Sequence, residues 1–262
     1  MRLLTWNVQW CRGVDGVVDP ARIAAFIRSR QVDVACLQEV AVHFPDLPGG
    51  ADEDQLEALA RALPGYGAFF VAAVDLPGAN GRRSRFGNAI LSRLPAGRVL
   101  RHSLPWPPSP DVASMPRAAL EIVFDGLRVI TTHLEYYSNS HRKAQVARLL
   151  ELHEEALAER KASQDATYRA AARPASAIVC GDFNLPPDDP LHEEMLAGGF
   201  VDAWQALNPG KEHPPTFRLF EEGHAPYCCD FVFCTPDIAL KSIAIDLQNQ
   251  ASDHQPVIVE LA

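Results

Sequence analysis

A chain of 262 residues with 47% hydrophobic and 22% charged side chains can bury a substantial core, and its make-up is that of a globular protein, not a disordered or fibrous one. Its net charge of −9 excludes the broad basic footprint of a protein that grips duplex nucleic acid tightly and non-specifically, but leaves room for transient binding by an enzyme whose metal supplies positive charge locally. The six cysteines, Cys11, Cys36, Cys180, Cys228, Cys229 and Cys234, offer neither a disulfide framework nor zinc-ligand spacing, and Cys36 and Cys180 sit in apolar runs as small hydrophobes.

The opening Met1-Arg2-Leu3-Leu4-Thr5-Trp6 is too short, and too polar beyond it, for a secretory leader. No stretch has the length of a membrane-spanning helix, so a reducing cytoplasm is the expected location. Residues 2–8 read as a buried strand. Asp19-Pro20 sets an N-cap before a proline at the first helical position, and Ile23, Phe26 and Ile27 give that helix its apolar stripe. Val32 to Leu37 predicts a second buried strand, so the chain opens as a β-α-β unit. A polar loop at 44–54 leads into a short helix at 54–63. Strands at 66–74 and 87–92 flank a loop carrying Arg82, Arg83 and Arg85. A strand at 98–103 precedes Pro105 to Pro116, whose five prolines demand a loop.

Asp125-Gly126, between strands at 118–124 and 128–133, is a hairpin signal. A long helix runs from Asn139 to about Gln164, with Val146, Leu149, Leu150 and Leu157 on one face. Residues 164–175, rich in Ala and Arg, read as a surface linker. A strand at 176–181 runs into Gly181-Asp182-Phe183-Asn184, a short helix starts near Pro190, and β-like segments follow at 229–234, 241–247 and 255–261. With no internal repeat and no boundary, residues 1–262 read as one α/β domain. Many strands interrupted by few helices predict two sheets packed face to face with helices outside.

Polar residues cluster where these strands end. Thr5-Trp6-Asn7 closes the first strand, Leu37-Gln38-Glu39 the second, and Asp182 with Asn184 follows the strand at 176–181. Alternate residues of an extended exit share a side, which brings Asp182 and Asn184 together; an Asx turn before Pro186-Pro187 is the competing reading. His133 ends the run Val129-Ile130-Thr131-Thr132. Asp230 enters an apolar strand and needs a partner; His254 could supply it, since a carboxylate that fixes a histidine tautomer and raises its pKa is a recurrent catalytic device. Asp253 lies beside His254 in the run Ser252-Asp253-His254-Gln255-Pro256-Val257.

Taken in order, Thr5-Trp6-Asn7-Val8, Leu37-Gln38-Glu39, Gly87-Asn88-Ala89-Ile90-Leu91-Ser92, Thr132-His133-Leu134, Gly181-Asp182-Phe183-Asn184, Cys229-Asp230-Phe231-Val232-Phe233 and Ser252 to Val257 resemble the endonuclease/exonuclease/phosphatase superfamily. The resemblance implies a four-layer α/β sandwich, two packed and mostly antiparallel sheets flanked by helices, with the active site at one end. It also implies hydrolysis of phosphoesters with Mg²⁺, for which Mn²⁺ can substitute. It carries over Glu39 as the main metal ligand with Asn7 and Asp253 nearby, and Asp182 as the residue that orients or deprotonates the attacking water, which Asn184 positions. Asp230 becomes the partner of His254, and His254 and His133 contact the scissile phosphate. Asn88 is expected at the rim, touching phosphate or supporting Glu39, and Arg117 is expected to meet substrate. Whether Asp182 or the His254–Asp230 pair takes the proton stays open.

The branch is less defined. His133 stands where exonuclease III-like abasic endonucleases carry Tyr, which is closer to the deoxyribonuclease, sphingomyelinase and inositol-phosphatase branches; the offsets of Tyr136 and Tyr137 do not match that role. Cys228-Cys229 replaces the usual basic and aliphatic pair before Asp230. Arg82, Arg83, Arg85, Arg117, His141, Arg142 and Lys143 would draw an anion only if their loops gather at the site. Arg142 and Gln145 match a structural R-x-x-Q pattern, and Trp106 is either a substrate lip or the packing of its own loop. The leading expectation is a phosphodiesterase or nuclease acting on DNA or RNA as a monomer without stable membrane insertion. A phosphatase or phospholipase on a small or lipid phosphoester is the alternative, and a non-catalytic binding module on the same scaffold is a third.

Overall fold

The computed structural model describes residues 1–50, 52–109, 112–162 and 172–262. The linker expected at 164–175 lies outside the described residues as far as 171, as do residue 51 of the loop at 44–54 and residues 110 and 111 of the proline-rich loop.

The strands are β1 Arg2–Asn7, β2 Val34–Val42, β3 Gly67–Pro77, β4 Arg83–Ser92, β5 Val99–Ser103, β6 Ala118–Phe124, β7 Leu127–His133, β8 Ala177–Asp182, β9 Val201–Asp202, β10 Asp230–Cys234, β11 Leu240–Ile245 and β12 Val257–Leu261. The helices are α1 Pro20–Ser29, α2 Gln55–Ala62, α3 Asn139–Ala162, α4 Pro190–Ala197 and α5 Ala203–Leu207. One six-stranded sheet has the order β11-β12-β1-β2-β4-β3 and the other β5-β6-β7-β8-β10-β9. β1 with β2 and β7 with β8 are parallel; the remaining pairs are antiparallel.

The strands read as unbroken apolar runs because both sheet faces are buried. Leu3, Val34, Cys36 and Ile90 of the first sheet meet Leu120, Val129, Ile178, Cys180 and Val232 of the second. On the first sheet's outer face Leu4, Trp6, Ala35 and Leu37 pack with Ile23 and Ile27 of α1 and Leu59 of α2. On the second sheet's outer face Ile130, Val179 and Phe233 pack with Val146, Leu149 and Leu152 of α3 and Leu191 and Met195 of α4. The result is the expected four-layer α/β sandwich. No helix of the described residues is long and apolar enough to cross a membrane, and all six cysteines are free and buried.

Local chemistry starts the helices where the sequence placed them. Asp19 accepts from the Ala21 amide at 2.9 Å ahead of Pro20, and Asp54 and Asp189 cap α2 and α4 in the same way, each cap being worth about 1 kcal/mol. Other details differ from the expectation. The α3 seam consists of Val146, Leu149, Leu152 and Ala156, with Leu150 only partly buried and Leu157 at the margin. Arg83 and Arg85 lie in β4, not in a loop, and β9 and α5 are too short to leave a periodic signal. In the second sheet Glu121 is fully buried and takes contacts from His102 at 2.8 Å, Arg128 at 3.4 Å and Arg173 at 3.3 Å.

Candidate active site

Strand parity gathers the polar residues. Side chains alternate between faces, so Asn7 follows Leu3 onto the inter-sheet face, His133 follows Val129, Asp182 follows Ile178 and Cys180, and Asp230 precedes Val232 and Cys234. Each lies at the same end of the sandwich, where the apolar filling between the sheets stops and a polar one begins. Gly181 permits the close pairing there: it stands at φ 143°, and a Cβ on it would meet the Thr132 carbonyl oxygen at 1.9 Å.

Glu39 reaches this face by a different route. It does not end its strand, since β2 continues to Val42; instead the register with β4 shifts between Leu37 and Val40, and Glu39 stands at φ 61°. This bulge lets consecutive residues turn to the same side. Gln38 donates to Thr5 Oγ1 at 3.2 Å and across the core to Thr131 Oγ1 at 2.8 Å. Glu39 accepts from Asn7 Nδ2 at 3.1 Å. The same Asn7 amide donates to Asp182 Oδ2 at 3.0 Å, so one side chain joins both carboxylates. Asp253 accepts from Gln9 Nε2 at 2.6 Å and from Ser252 Oγ at 3.2 Å. Burial first, then the charge of Asp253, pushes the Glu39 carboxyl up to about 7, and burial raises Asp253 as well.

Two imidazoles face Asp182. His133 Nε2 lies 3.5 Å and His254 Nε2 3.7 Å from Asp182 Oδ2. His254 Nδ1 lies 2.9 Å from Asp230 Oδ2, and the His254 ring stacks on Phe217 at 4.3 Å between centroids. Burial acts to lower the His254 pKa, but Asp230 and Asp182 outweigh it and carry it up to about 10. Burial, then the charges of Arg117 and His254, holds His133 well below the usual imidazole range. Burial raises the Asp182 carboxyl to about 6, although His254 draws it down. The surroundings thus push the two histidines in opposite directions.

Asp182 and Asn184 do come together, but through a turn, not an extended exit. β8 ends at Asp182, Asn184 stands at φ 52°, and its backbone N–H donates to Asp182 Oδ1 at 2.9 Å. The Asx turn and the site are one structure. Asn184 Nδ2 donates to the Leu134 carbonyl at 2.9 Å. Asn88 is buried and not exposed at the rim: its amide donates to the Ala118 carbonyl at 2.9 Å, which ties β4 to the start of β6, and it lines a small cleft with Glu39, Arg117 and His133. Arg117 is buried too, with Nε 3.4 Å from Glu135 Oε2.

A cavity of about 370 Å³ is lined by Glu39, Arg117, His133, Asp182, Asn184, Asp253 and His254. The sequence reading missed its other walls, namely Gln9, Trp10, Phe44, Leu47, Phe86, Met115, Tyr136, Tyr137, Phe217 and Arg218. An isolated aromatic in a loop carries no signal of what it faces. The arginines of the β3–β4 hairpin do not line this cavity: Arg83 pairs with Asp75 at 2.8 Å and Arg85 lies over Phe70. Arg142 donates to the Glu135 and Tyr136 carbonyls, and Gln145 accepts from the Glu135 amide, so this pair shapes the turn after β7. Trp106 donates to Ser114 Oγ at 2.7 Å within its own loop.

The sequence model of the Endonuclease/Exonuclease/phosphatase family matches residues 4–254. A structure of an endonuclease/exonuclease/phosphatase from Beutenbergia cavernae is 26% identical, with a TM-score of 0.74 over 100% of this chain and 71% of that one. The mannosyl-6-phosphatase of Bacteroides thetaiotaomicron is 18% identical, with a TM-score of 0.74 over 100% and 99% of the two chains. A 3′ phosphatase from Neisseria bound to a product DNA hairpin is 20% identical, with a TM-score of 0.66 over 100% and 99%. A search of curated proteins finds no significant match.

Proposed function

The chain belongs to the endonuclease/exonuclease/phosphatase family, whose members are metal-dependent hydrolases of phosphoesters, and on that premise we propose that it is a Mg²⁺-dependent phosphodiesterase acting on DNA or RNA. The observation that carries this reading is the position of Asp182. Its carboxylate accepts from Asn7 and Asn184 and faces both His133 and His254 within 3.7 Å.

The donor set suits a hard divalent cation. Glu39 and Asp253 offer oxygens; burial and then the charge of Asp253 lift the Glu39 carboxyl, and burial lifts Asp253, a cost that a bound cation offsets. Glu39 and Asp253 would hold the ion with Asn7 alongside, and Mg²⁺, or Mn²⁺ in its place, would polarise a phosphoryl oxygen when bound.

The chain's own groups supply the remainder. Asp182 takes a proton from water as its oxygen attacks phosphorus, and Asn184 helps to orient that water. Asp230 and Asp182 carry His254 up to about 10, which favours its protonated form at neutral pH and makes Asp182 the better proton acceptor. His254 instead donates from Nε2 toward the charge that builds on the phosphoryl oxygens. His133 adds a neutral N–H donor and Arg117 a fixed positive charge. The ester P–O bond breaks, the leaving oxygen takes a proton from solvent and departs as an alcohol, and Asp182 returns the proton it took to solvent.

A second reading, a phosphatase or phospholipase on a small or lipid phosphoester, is favoured by one observation: the cavity is walled by aromatic side chains and holds Arg117 and Arg218 in place of a basic groove. The test is hydrolysis by the purified protein of plasmid DNA, single-stranded RNA, a lipid phosphodiester and an inositol phosphate, with Mg²⁺, with EDTA and with His254→Ala. Cleavage of DNA or RNA that disappears in both controls is the expected result. Cleavage of only the lipid or inositol substrate selects the second reading, and no cleavage of any member above the His254→Ala blank overturns both.

A further inference from the structure

The turn after β1 is costly. Gln9, Trp10 and Cys11 stand in succession at φ 45°, 43° and 60°. L-residues resist the left-handed region, at about 1–3 kcal/mol each, and such strain persists only where the surroundings over-determine it. Here they do. Gln9 donates to Asp253, Trp10 Nε1 donates to the Pro48 carbonyl at 3.0 Å, and the Cys11 carbonyl accepts from the Asp19 amide at 2.8 Å.

The residue this turn delivers is Arg12. Among the described residues its guanidinium has no hydrogen-bond or ion-pair partner, and its Nε is buried. Arg12 as a residue is half-buried, and its unpaired buried Nε–H carries a desolvation cost that an incoming acceptor would remove. Arg12 lines a cavity of about 290 Å³ together with Arg218. Arg218 also stands at positive φ, 60°, with its guanidinium over the Phe217 ring and 3.0 Å from Glu221. Gln9, Arg218 and Asp253 line both this cavity and the one that holds Asp182 and His254. The two spaces therefore adjoin along the edge that carries Asp253.

We propose that this second cavity is an anion subsite in which Arg12 and Arg218 bind a second phosphate group of the substrate while the scissile phosphate lies against Asp182 and His254. The assignment rests on the phosphoester reading of the main cavity. A guanidinium fork matches phosphate oxygens two at a time; Glu221 and Asp253 line this cavity too, Glu221 paired with Arg218 and Asp253 bonded by Gln9, so Arg12 is the guanidinium left without a carboxylate. The second phosphate is either the neighbouring one along a nucleotide strand or the other phosphate of a small organic bisphosphate.

The experiment is a binding titration in an Asp182→Asn background with Mg²⁺, using thymidine 3′,5′-bisphosphate against thymidine 5′-monophosphate and fructose 1,6-bisphosphate against fructose 6-phosphate. With Arg12 present, the bisphosphate of at least one pair binds about tenfold tighter than its monophosphate, a ratio that corresponds to about 1.4 kcal/mol. Arg12→Ala removes that advantage and Arg12→Lys restores part of it. Loss confined to the thymidine pair identifies a strand phosphate, and loss confined to the fructose pair identifies a small bisphosphate. An advantage that survives Arg12→Ala, or its absence from both pairs before substitution, overturns the subsite. So does equal weakening of mono- and bisphosphates, which makes Arg12 structural. Turnover of bis(p-nitrophenyl) phosphate, which has one phosphate, is followed in parallel for the wild type and Arg12→Ala. No turnover by the wild type sinks the phosphodiesterase reading and leaves the binding ratios to judge the subsite.

Discussion

His254 sets Nδ1 against Asp230 Oδ2 at 2.9 Å, across 24 residues of chain, and so holds its other nitrogen 3.7 Å from Asp182. The ring is fixed on other sides as well: Phe217 stacks on it, and Trp6 Nε1 donates to the His254 carbonyl at 2.9 Å. Such an imidazole is preorganised in position and, through Asp230, in charge.

Asp230→Asn keeps the shape of that pair and removes the charge. Burial is then less opposed, and the His254 pKa falls from about 10 toward the ordinary histidine range. Activity is expected to fall by about 10²–10⁴-fold, the usual scale for a displaced proton-transfer or charge-stabilising group. NMR titration of the His254 ring beside steady-state kinetics reads both. An unchanged titration with lost activity would mean that Asp230 acts by fixing the His254 tautomer and not by raising its pKa.

Asp182 works deprotonated, so activity declines as the pH drops through about 6, the value to which burial raises it. Asp182→Asn should lower kcat by about 10²–10⁴-fold with little change in KM, and at saturating Mg²⁺, which keeps Glu39 ionised, the residual rate should lose the acid limb. A pH–rate profile of both proteins checks this. An acid limb that persists in Asp182→Asn would move the proton acceptor elsewhere.

On the second sheet, Glu121 is shared between buried Arg128 and Arg173, and Glu155 and Glu159 also pair with Arg173. Glu121→Ala leaves two buried cations without their shared carboxylate and is expected to cost about 3–5 kcal/mol, read from urea unfolding curves. A loss below about 1 kcal/mol would mean that water or other carboxylates take over the role.

Asp202 accepts from His192 and His213, both at 2.8 Å, and caps α5 through Oδ1. Burial acts to raise its carboxyl, but the His192 and His213 hydrogen bonds outweigh it and hold the pKa at about 2, below its ordinary 3.8. A depressed carboxylate stabilises the fold fully above its unfolded pKa, and the gain is lost as pH falls through the folded value. The displacement corresponds to roughly 2 kcal/mol. The stability gap between wild type and Asp202→Asn, which keeps the cap oxygen, should therefore be full at pH 6 and shrink between pH 4 and pH 2. A gap that stays constant over that range would refute the linkage.

Much of the molecule was legible in the chain itself. Unbroken apolar runs such as Val34 to Leu37 and Ile178 to Cys180 announced strands buried on both faces, and the Asp-Pro caps marked where α1 and α4 begin. The polar residues at the ends of those runs, Asn7, His133, Asp182 and Asp230, could be found because side-chain alternation is a property of the strand alone: a polar residue two steps beyond a core residue shares its face. The same local rule misjudged Glu39, Asn184 and Asn88. Glu39 joins the site through a bulge, Asn184 through a left-handed turn, and Asn88 turns inward to the Ala118 carbonyl. The Glu39 bulge and the Asn88 contact are held by partners remote in sequence, which no local pattern encodes, whereas the Asn184 turn closes locally on Asp182 and was the competing reading of that segment. The aromatic walls and the strained turn that presents Arg12 also depend on remote partners. Local sequence determined which residues form the strands and which polar groups stand at their ends, because backbone geometry and burial act over a few residues. Only the tertiary structure decided how the bulge and the strained turn aim Glu39 and Arg12, because their strain is sustained by contacts that exist once the two sheets have packed.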